Sequence, residues 1–188
     1  MLGATEVEVV TNIGLLKDGN IKYFTHDIFK VLSAIKNVPD NKYMVKFILE
    51  NCYLTIEEII MGTGIIADAA EEFPKINVLV STSTDYGMPY IGPLPEKNDG
   101  AVIDEVCLMK EVIKKITKEE YNVGIKVTGK IENMETALIM MKACGLEPDN
   151  IKNTKENYQD LFRIGTDNLD VLRSSSNYDN KIIEDNLQ

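Results

Sequence analysis

The sequence predicts an α/β protein built on a parallel sheet. Strand-like and helix-like segments alternate along the 188 residues, and the strand candidates are short and rich in β-branched residues. The third of them, residues 76–82, begins as a nearly unbroken apolar run, as expected of a parallel strand covered on both faces. Alternation of this kind implies parallel strands joined by right-handed crossovers, and does not by itself choose between a doubly wound sheet and a barrel.

Residues 6–12 (EVEVVTN) read as the first strand, and Gly19 with Asn20 opens a helical segment in which Phe24, Ile28, Val31 and Leu32 recur at helical spacing. Residues 43–50 (YMVKFILE) form the second strand. Thr55 followed three places on by Glu58 is a capping box that starts a helix running towards Phe73, stopped by Pro74. After the third strand come a Pro/Gly-rich loop over 87–100 and a helix over 103–116. The fourth strand, 123–128, precedes a helix carrying Met134, Leu138, Met141 and Ala143, with Gly145 as its C-cap. The fifth strand is 162–165, and residues 169–173 begin a last helix. Residues 1–173 thus read as the folded portion and 174–188 as a polar tail that frays. Neither glycine fingerprint of nucleotide-binding sheets is present, because Gly62-Thr63-Gly64 lies inside a helical pattern.

Composition narrows the function classes. A hydrophobic share of 44% and a charged share of 27% are those of an ordinary globular protein. No apolar run approaches the ~20 residues that a membrane span needs. Met1 is followed by a strand-like acidic segment and not by a basic, then apolar, leader, so a cytoplasmic location is expected. A net charge of −10 with only two arginines, Arg163 and Arg173, argues against nucleic acid as a partner. Cys52, Cys107 and Cys144 are widely spaced and, with the single His26, supply no metal-ligand spacing. They read as reduced core or near-core thiols, and no metal or other cofactor is expected.

Strands buried on both faces should be apolar, so polar residues near their C-terminal ends are the informative exceptions. By alternation Glu8 and Asn12 share one strand face, Lys46 and Glu50 a second, Ser81 and Ser83 a third, and Lys126 and Thr128 a fourth. One such lysine reads as edge protection or a structural ion pair. Four polar-bearing strands in succession point to a polar pocket, since unpaired buried charge is costly.

The runs GATEVEVVTNIGLLKDGN (3–20), MVKFILENCYLT (44–55), VSTSTDYG (80–87), DEVCLMKEVI (104–113), IKVTGKIENMETALIMMKACG (125–145) and RIGT (163–166) resemble 2-deoxyribose-5-phosphate aldolase, in that family's order and at compatible spacing. The resemblance implies a TIM-type (β/α)8 barrel of which this chain carries the last five βα units. Five strands cannot close a barrel that requires eight, so two open edges are expected, with truncation or a partner supplying the rest.

In a class I aldolase one lysine forms a Schiff base, a second on the next strand lowers its pKa, and an aspartate handles protons. Matched by position, the resemblance implies Ser81 at the Schiff-base site, Lys126 as the retained second lysine, Glu8 for the aspartate, and Lys46 as a further family lysine. A hydroxyl cannot form an imine. The family's phosphate cradle of glycine and serine amides is matched by Asp85, Gly129, Lys130, Gly165 and Asp167, and the two carboxylates there imply weak affinity for a dianion. Residues 88–97 read as an inserted lid or surface loop.

The expectation is a divergent, catalytically silent aldolase-like protein. It would act by binding a small sugar-phosphate-like metabolite or a protein partner, and it would form a homo-oligomer. The alternative is an active lyase, cleaving deoxyribose phosphate to glyceraldehyde 3-phosphate and acetaldehyde with Lys126 or Lys46 as the imine-forming amine. A third reading is a fragment without function of its own.

Overall fold

The computed structural model describes residues 4–37, 43–84, 86, 100–117, 122–146 and 161–168. The elements run β1 (Glu6–Val10), α1 (Ile13–Lys17), α2 (Ile21–Lys36), β2 (Met44–Ile48), a 3-10 turn (Asn51–Tyr53), α3 (Ile56–Glu71), β3 (Asn77–Ser81), α4 (Ile103–Ile116), β4 (Val123–Thr128), α5 (Met134–Ala143) and β5 (Phe162–Gly165). The strands form one sheet in sequential order, and every pair is parallel. Each crossover therefore steps one strand over in the same direction. That is barrel connectivity, since a doubly wound sheet reverses its order at a switch point.

Pleating divides the strand residues between two faces. Val45, Phe47, Val78, Val80, Ile125 and Val127 pack into one buried cluster with Phe24, Leu32, Ile59, Ile66, Val106 and Met109 of the helices. This apolar layer between sheet and helices supplies most of the burial that holds the fold together. The alternate positions, Glu6, Glu8, Lys46, Ser81, Lys126 and Arg163, lie on the other face.

That other face is concave. Arg163 Nη2 of β5 lies 3.0 Å from Glu6 Oε1 of β1, although these are the two outermost strands of the sheet. Across a flat sheet, four strand spacings would separate them by about 19 Å, too far for the two side chains to meet. The ion pair exists because the sheet curls into a trough, as successive barrel strands do.

Local chemistry sets several of the element ends. Glu58 N donates to Thr55 Oγ1 and Thr55 N donates to Glu58 Oε2, the reciprocal capping box read from the sequence. Asn122 Nδ2, just before β4, donates to the carbonyls of Ala70, Phe73 and Ile76 and so ties the end of α3 to the start of two strands. Thr82 Oγ1 donates to Thr128 O and accepts from Thr128 N, which extends the β3–β4 pairing past Ser81.

Several expectations need correction. β1 stops at Val10, and Asn12 is not on a strand face: its side chain caps the unexpected helix α1 by accepting from Leu15 N. β2 stops at Ile48, and Glu50 adopts a left-handed backbone with φ of 55°. Cys52 is buried and Cys144 half-buried as expected, whereas Cys107 is exposed. The helix over 169–173, the tail over 174–188 and the loop over 88–97 lie outside the described residues. No described helix is long and apolar enough to cross a membrane.

Candidate functional site

The strand register places Glu8 beside Lys46, and Ser81 beside Lys126. Because β1 curls back over the trough, Glu8 reaches both lysines. Lys46 Nζ donates to Glu8 Oε1 at 3.1 Å, while Lys126 Nζ donates to Glu8 Oε1 at 2.8 Å and to Oε2 at 2.9 Å. Lys46 Nζ also lies 2.6 Å from Glu6 Oε2, and Glu6 holds Arg163. The result is a continuous ion chain across the concave face: Arg163, Glu6, Lys46, Glu8, Lys126.

The charges reinforce one another. Hydrogen bonds from Lys46 and then Arg163 hold the Glu6 carboxyl below its ordinary value. Burial pushes Glu8 up, and the hydrogen bonds from Lys126 and Lys46 outweigh it, leaving the carboxyl lowered. Burial pushes Lys46 down, and its bonds to Glu6 and Glu8 outweigh that and raise it. An imine-forming lysine needs the opposite shift, because only the neutral amine attacks a carbonyl.

Ser81 is fully buried, and its Oγ has no hydrogen-bond partner among the described residues. At the strand ends Glu50 forms a second cluster. Its carboxylate accepts from Ser83 Oγ at 2.8 Å, from Thr84 N at 3.1 Å, and from the Thr84 hydroxyl. A left-handed glutamate is uncommon, and here the strained backbone turns the carboxylate onto the segment that follows Ser81.

The remaining predicted positions lie beyond the ends of β4 and β5. Gly129 and Lys130 both have positive φ, 115° and 55°. A Cβ at Gly129 would come within 2.8 Å of Gly100 Cα, so only glycine fits there, and Ala101 N donates to its carbonyl. Asp167 is exposed, in a segment fastened by Thr166 Oγ1 to Ile131 O and by Asn168 Nδ2 to Glu132 O. Asp85 lies outside the described residues. The structure thus brings Glu8, Lys46, Ser81 and Lys126 to one face and Gly129, Lys130, Gly165 and Asp167 to one end. Glu6 and Arg163 were missed as members of the ion chain. Glu6 shares its strand face with Glu8 by alternation, and Arg163 is a charged residue inside a short strand, so both signals were present.

Sequential parallel strands, curled around a polar face with lysines near their C-terminal ends, define part of a (β/α) barrel of the aldolase type. No known family profile matches the chain. Deoxyribose-phosphate aldolases of Thermoanaerobacter sp. (strain X514) and Thermococcus gammatolerans are 34% and 35% identical to it over 141 residues, which is 75% of this chain and 52% of each relative. A structure assigned as a deoxyribose-phosphate aldolase from Coccidioides immitis superposes with a TM-score of 0.62 at 27% identity, covering 87% of this chain and 49% of that one. The tetrameric deoxyribose phosphate aldolase of Aeropyrum pernix matches with a TM-score of 0.58 at 18% identity, a likeness of fold that covers 93% of this chain and 56% of that one. The chain is a divergent member of the deoxyribose-phosphate aldolase family. It spans about half the length of the curated relatives it matches.

Proposed function

We propose that this chain is an aldolase-like binding protein that does not form an imine at the family position. The observation that carries the reading is the double engagement of Glu8. Where the resemblance implies a reactive lysine, Ser81 offers a buried hydroxyl, and the two lysines near it are both held by carboxylates. Lys46 is further removed from amine reactivity by its raised pKa. The active-lyase alternative needs Lys126 or Lys46 to give up these bonds and a proton before attacking, and no contact among the described residues favours that.

The ligand on this reading is a small metabolite or a protein partner. The tetramer described for the Aeropyrum pernix relative supports a homo-oligomeric state. Incubating the full chain with 2-deoxyribose 5-phosphate and borohydride, followed by peptide mapping, tests the central claim. The expected result is no reduced adduct. An adduct on Lys126 or Lys46, formed as fast as turnover requires, would overturn the reading.

A further inference from the structure

Two of the three cysteines meet on the helix side of the sheet. Cys107, in the second turn of α4, is exposed, and Cys144, the residue that closes α5, is half-buried against the apolar cluster; both are free thiols. Cys107 Sγ lies 4.0 Å from Ala143 O, the carbonyl of the peptide bond that leads into Cys144. The described peptide bonds are all trans, and across a trans peptide the oxygen and the following Cα are about 3 Å apart, so Cys107 Sγ falls within about 7 Å of Cys144 Cα. A disulfide needs an approach a few ångströms closer, which is of the order that rotations about the two χ1 bonds span, about 3 Å for each sulfur.

A cation stands beside the pair. Lys110 follows Cys107 by three residues and so shares its face of α4. A Cβ at Gly145 would come within 1.9 Å of Lys110 Nζ, and Gly145 itself has φ of 76°. The glycine both ends α5 in the left-handed region and leaves the gap that admits the ammonium next to Cys144. Burial pushes the Cys144 thiol up to about 12; Lys110 pulls against the rise, and Cys107 adds to it, so the two thiols lie within reach of each other's charge. Cys144 also lines a cleft with Lys110, Lys114, Ile113, Leu146 and Phe162, and open space therefore adjoins it. Lys114 is the cleft's other charged residue among those described, while Lys110 is the cation that acts on the thiol.

We propose that Cys107 and Cys144 form a redox modification site, a dithiol that a small-molecule disulfide oxidises to an intramolecular bond tying α4 to the end of α5. The exposed Cys107 reacts first, because the thiol must reach a reagent in solution. Its thiolate attacks one sulfur of the reagent, whose S–S bond breaks and releases one thiol, leaving a mixed disulfide on Cys107. Cys144 then gives up its proton and attacks Cys107 Sγ; the Cys107–Cys144 bond forms, the mixed disulfide breaks, and a second thiol leaves. Two electrons and the two thiol protons pass from the protein to the reagent, so the exchange balances. Lys110 is a positioning residue for the second step, since a cation beside a half-buried thiol favours the thiolate that attacks.

The test treats the reduced full chain with oxidised glutathione, then quenches with acid, alkylates the remaining thiols and maps peptides without reduction. The expected product is a Cys107–Cys144 crosslink, lighter than the dithiol by two hydrogen atoms and reversed by dithiothreitol, with Cys52, which is 5% exposed, alkylated only after unfolding. Cys144→Ser stops at the glutathione adduct of Cys107, and Cys107→Ser yields neither adduct nor crosslink. Lys110→Met moves the pH profile of the closing step upward and slows closure at least about threefold at pH 8, whereas Lys110→Arg preserves it. An adduct on Cys107 that persists in the unmodified chain, a bond to Cys52, or a crosslink between two chains overturns the site; closure equally fast in Lys110→Met across the pH range overturns the role of Lys110. Should a variant not fold, the unmodified chain decides, by crosslink or by persistent adduct.

Discussion

Replacing Glu8 with alanine tests the ion chain at its centre. The substitution removes one hydrogen bond to Lys46 and two to Lys126, while Lys46 keeps its 2.6 Å contact with Glu6. Because the Glu8 side chain is 41% exposed, solvent screens these contacts and they do not carry the energy of a buried pair. The two-oxygen geometry on Lys126 puts that contact at the upper end of the exposed range, about 1 kcal/mol. Leaving two ammonium groups facing each other adds to the loss, so Glu8→Ala is expected to cost about 1–2 kcal/mol in total. Urea unfolding of the parent, Glu8→Ala, Lys126→Met and the double variant gives the coupling directly. The pH dependence has a definite sign. Glu6 and Glu8 are lowered from 4.5, so their contribution is complete above that value and is lost as pH falls through the lowered pKa of each. Lys46 is raised above 10.5, so its contribution is complete below that value and is lost as pH climbs through the raised pKa. A coupling of zero at neutral pH, or one undiminished at the acid end of the titration, refutes the reasoning.

Ser81→Ala removes a buried hydroxyl that has no partner among the described residues, so stability should stay level or rise by up to about 1 kcal/mol in urea unfolding. A loss larger than that would mean the hydroxyl is satisfied in solution.

The elements with strong local signals were legible. The helix Ile103–Ile116 and the strands Val123–Thr128 and Phe162–Gly165 occur where periodicity and β-branched runs place them, and Thr55 with Glu58 forms the expected cap. α1 was not legible, because five residues cannot display a helical period and Asn12 continues the alternation of the strand before it. Glu50 was misplaced for a related reason: alternation assumes an extended chain, and its left-handed backbone breaks that assumption just past the end of β2. The common face of Glu8, Lys46, Ser81 and Lys126 follows from alternation and parallel register. The Glu6–Arg163 contact joins residues 157 apart in sequence and depends on how far the sheet curls, a global property that no local pattern encodes.

The features at positions 8, 46, 81 and 126 depend on one another. A lysine at position 81 would be in register with Lys126 and would face it as a like charge, and such pairs in class I aldolases favour a neutral amine. With serine there instead, β3 places no like charge in register with Lys126. An ammonium that is only 13% exposed then needs a counter-ion, and Glu8 provides both oxygens. Glutamate is one methylene longer than the aspartate that the resemblance implies at that position, and the reach matters because the same carboxylate must also meet Lys46. The Glu8 contact with Lys46, reinforced by Glu6, raises the pKa of Lys46 and takes the remaining nearby amine further from reactivity. On the reading proposed above, the serine at position 81 and the carboxylates that hold Lys46 and Lys126 belong to one electrostatic arrangement.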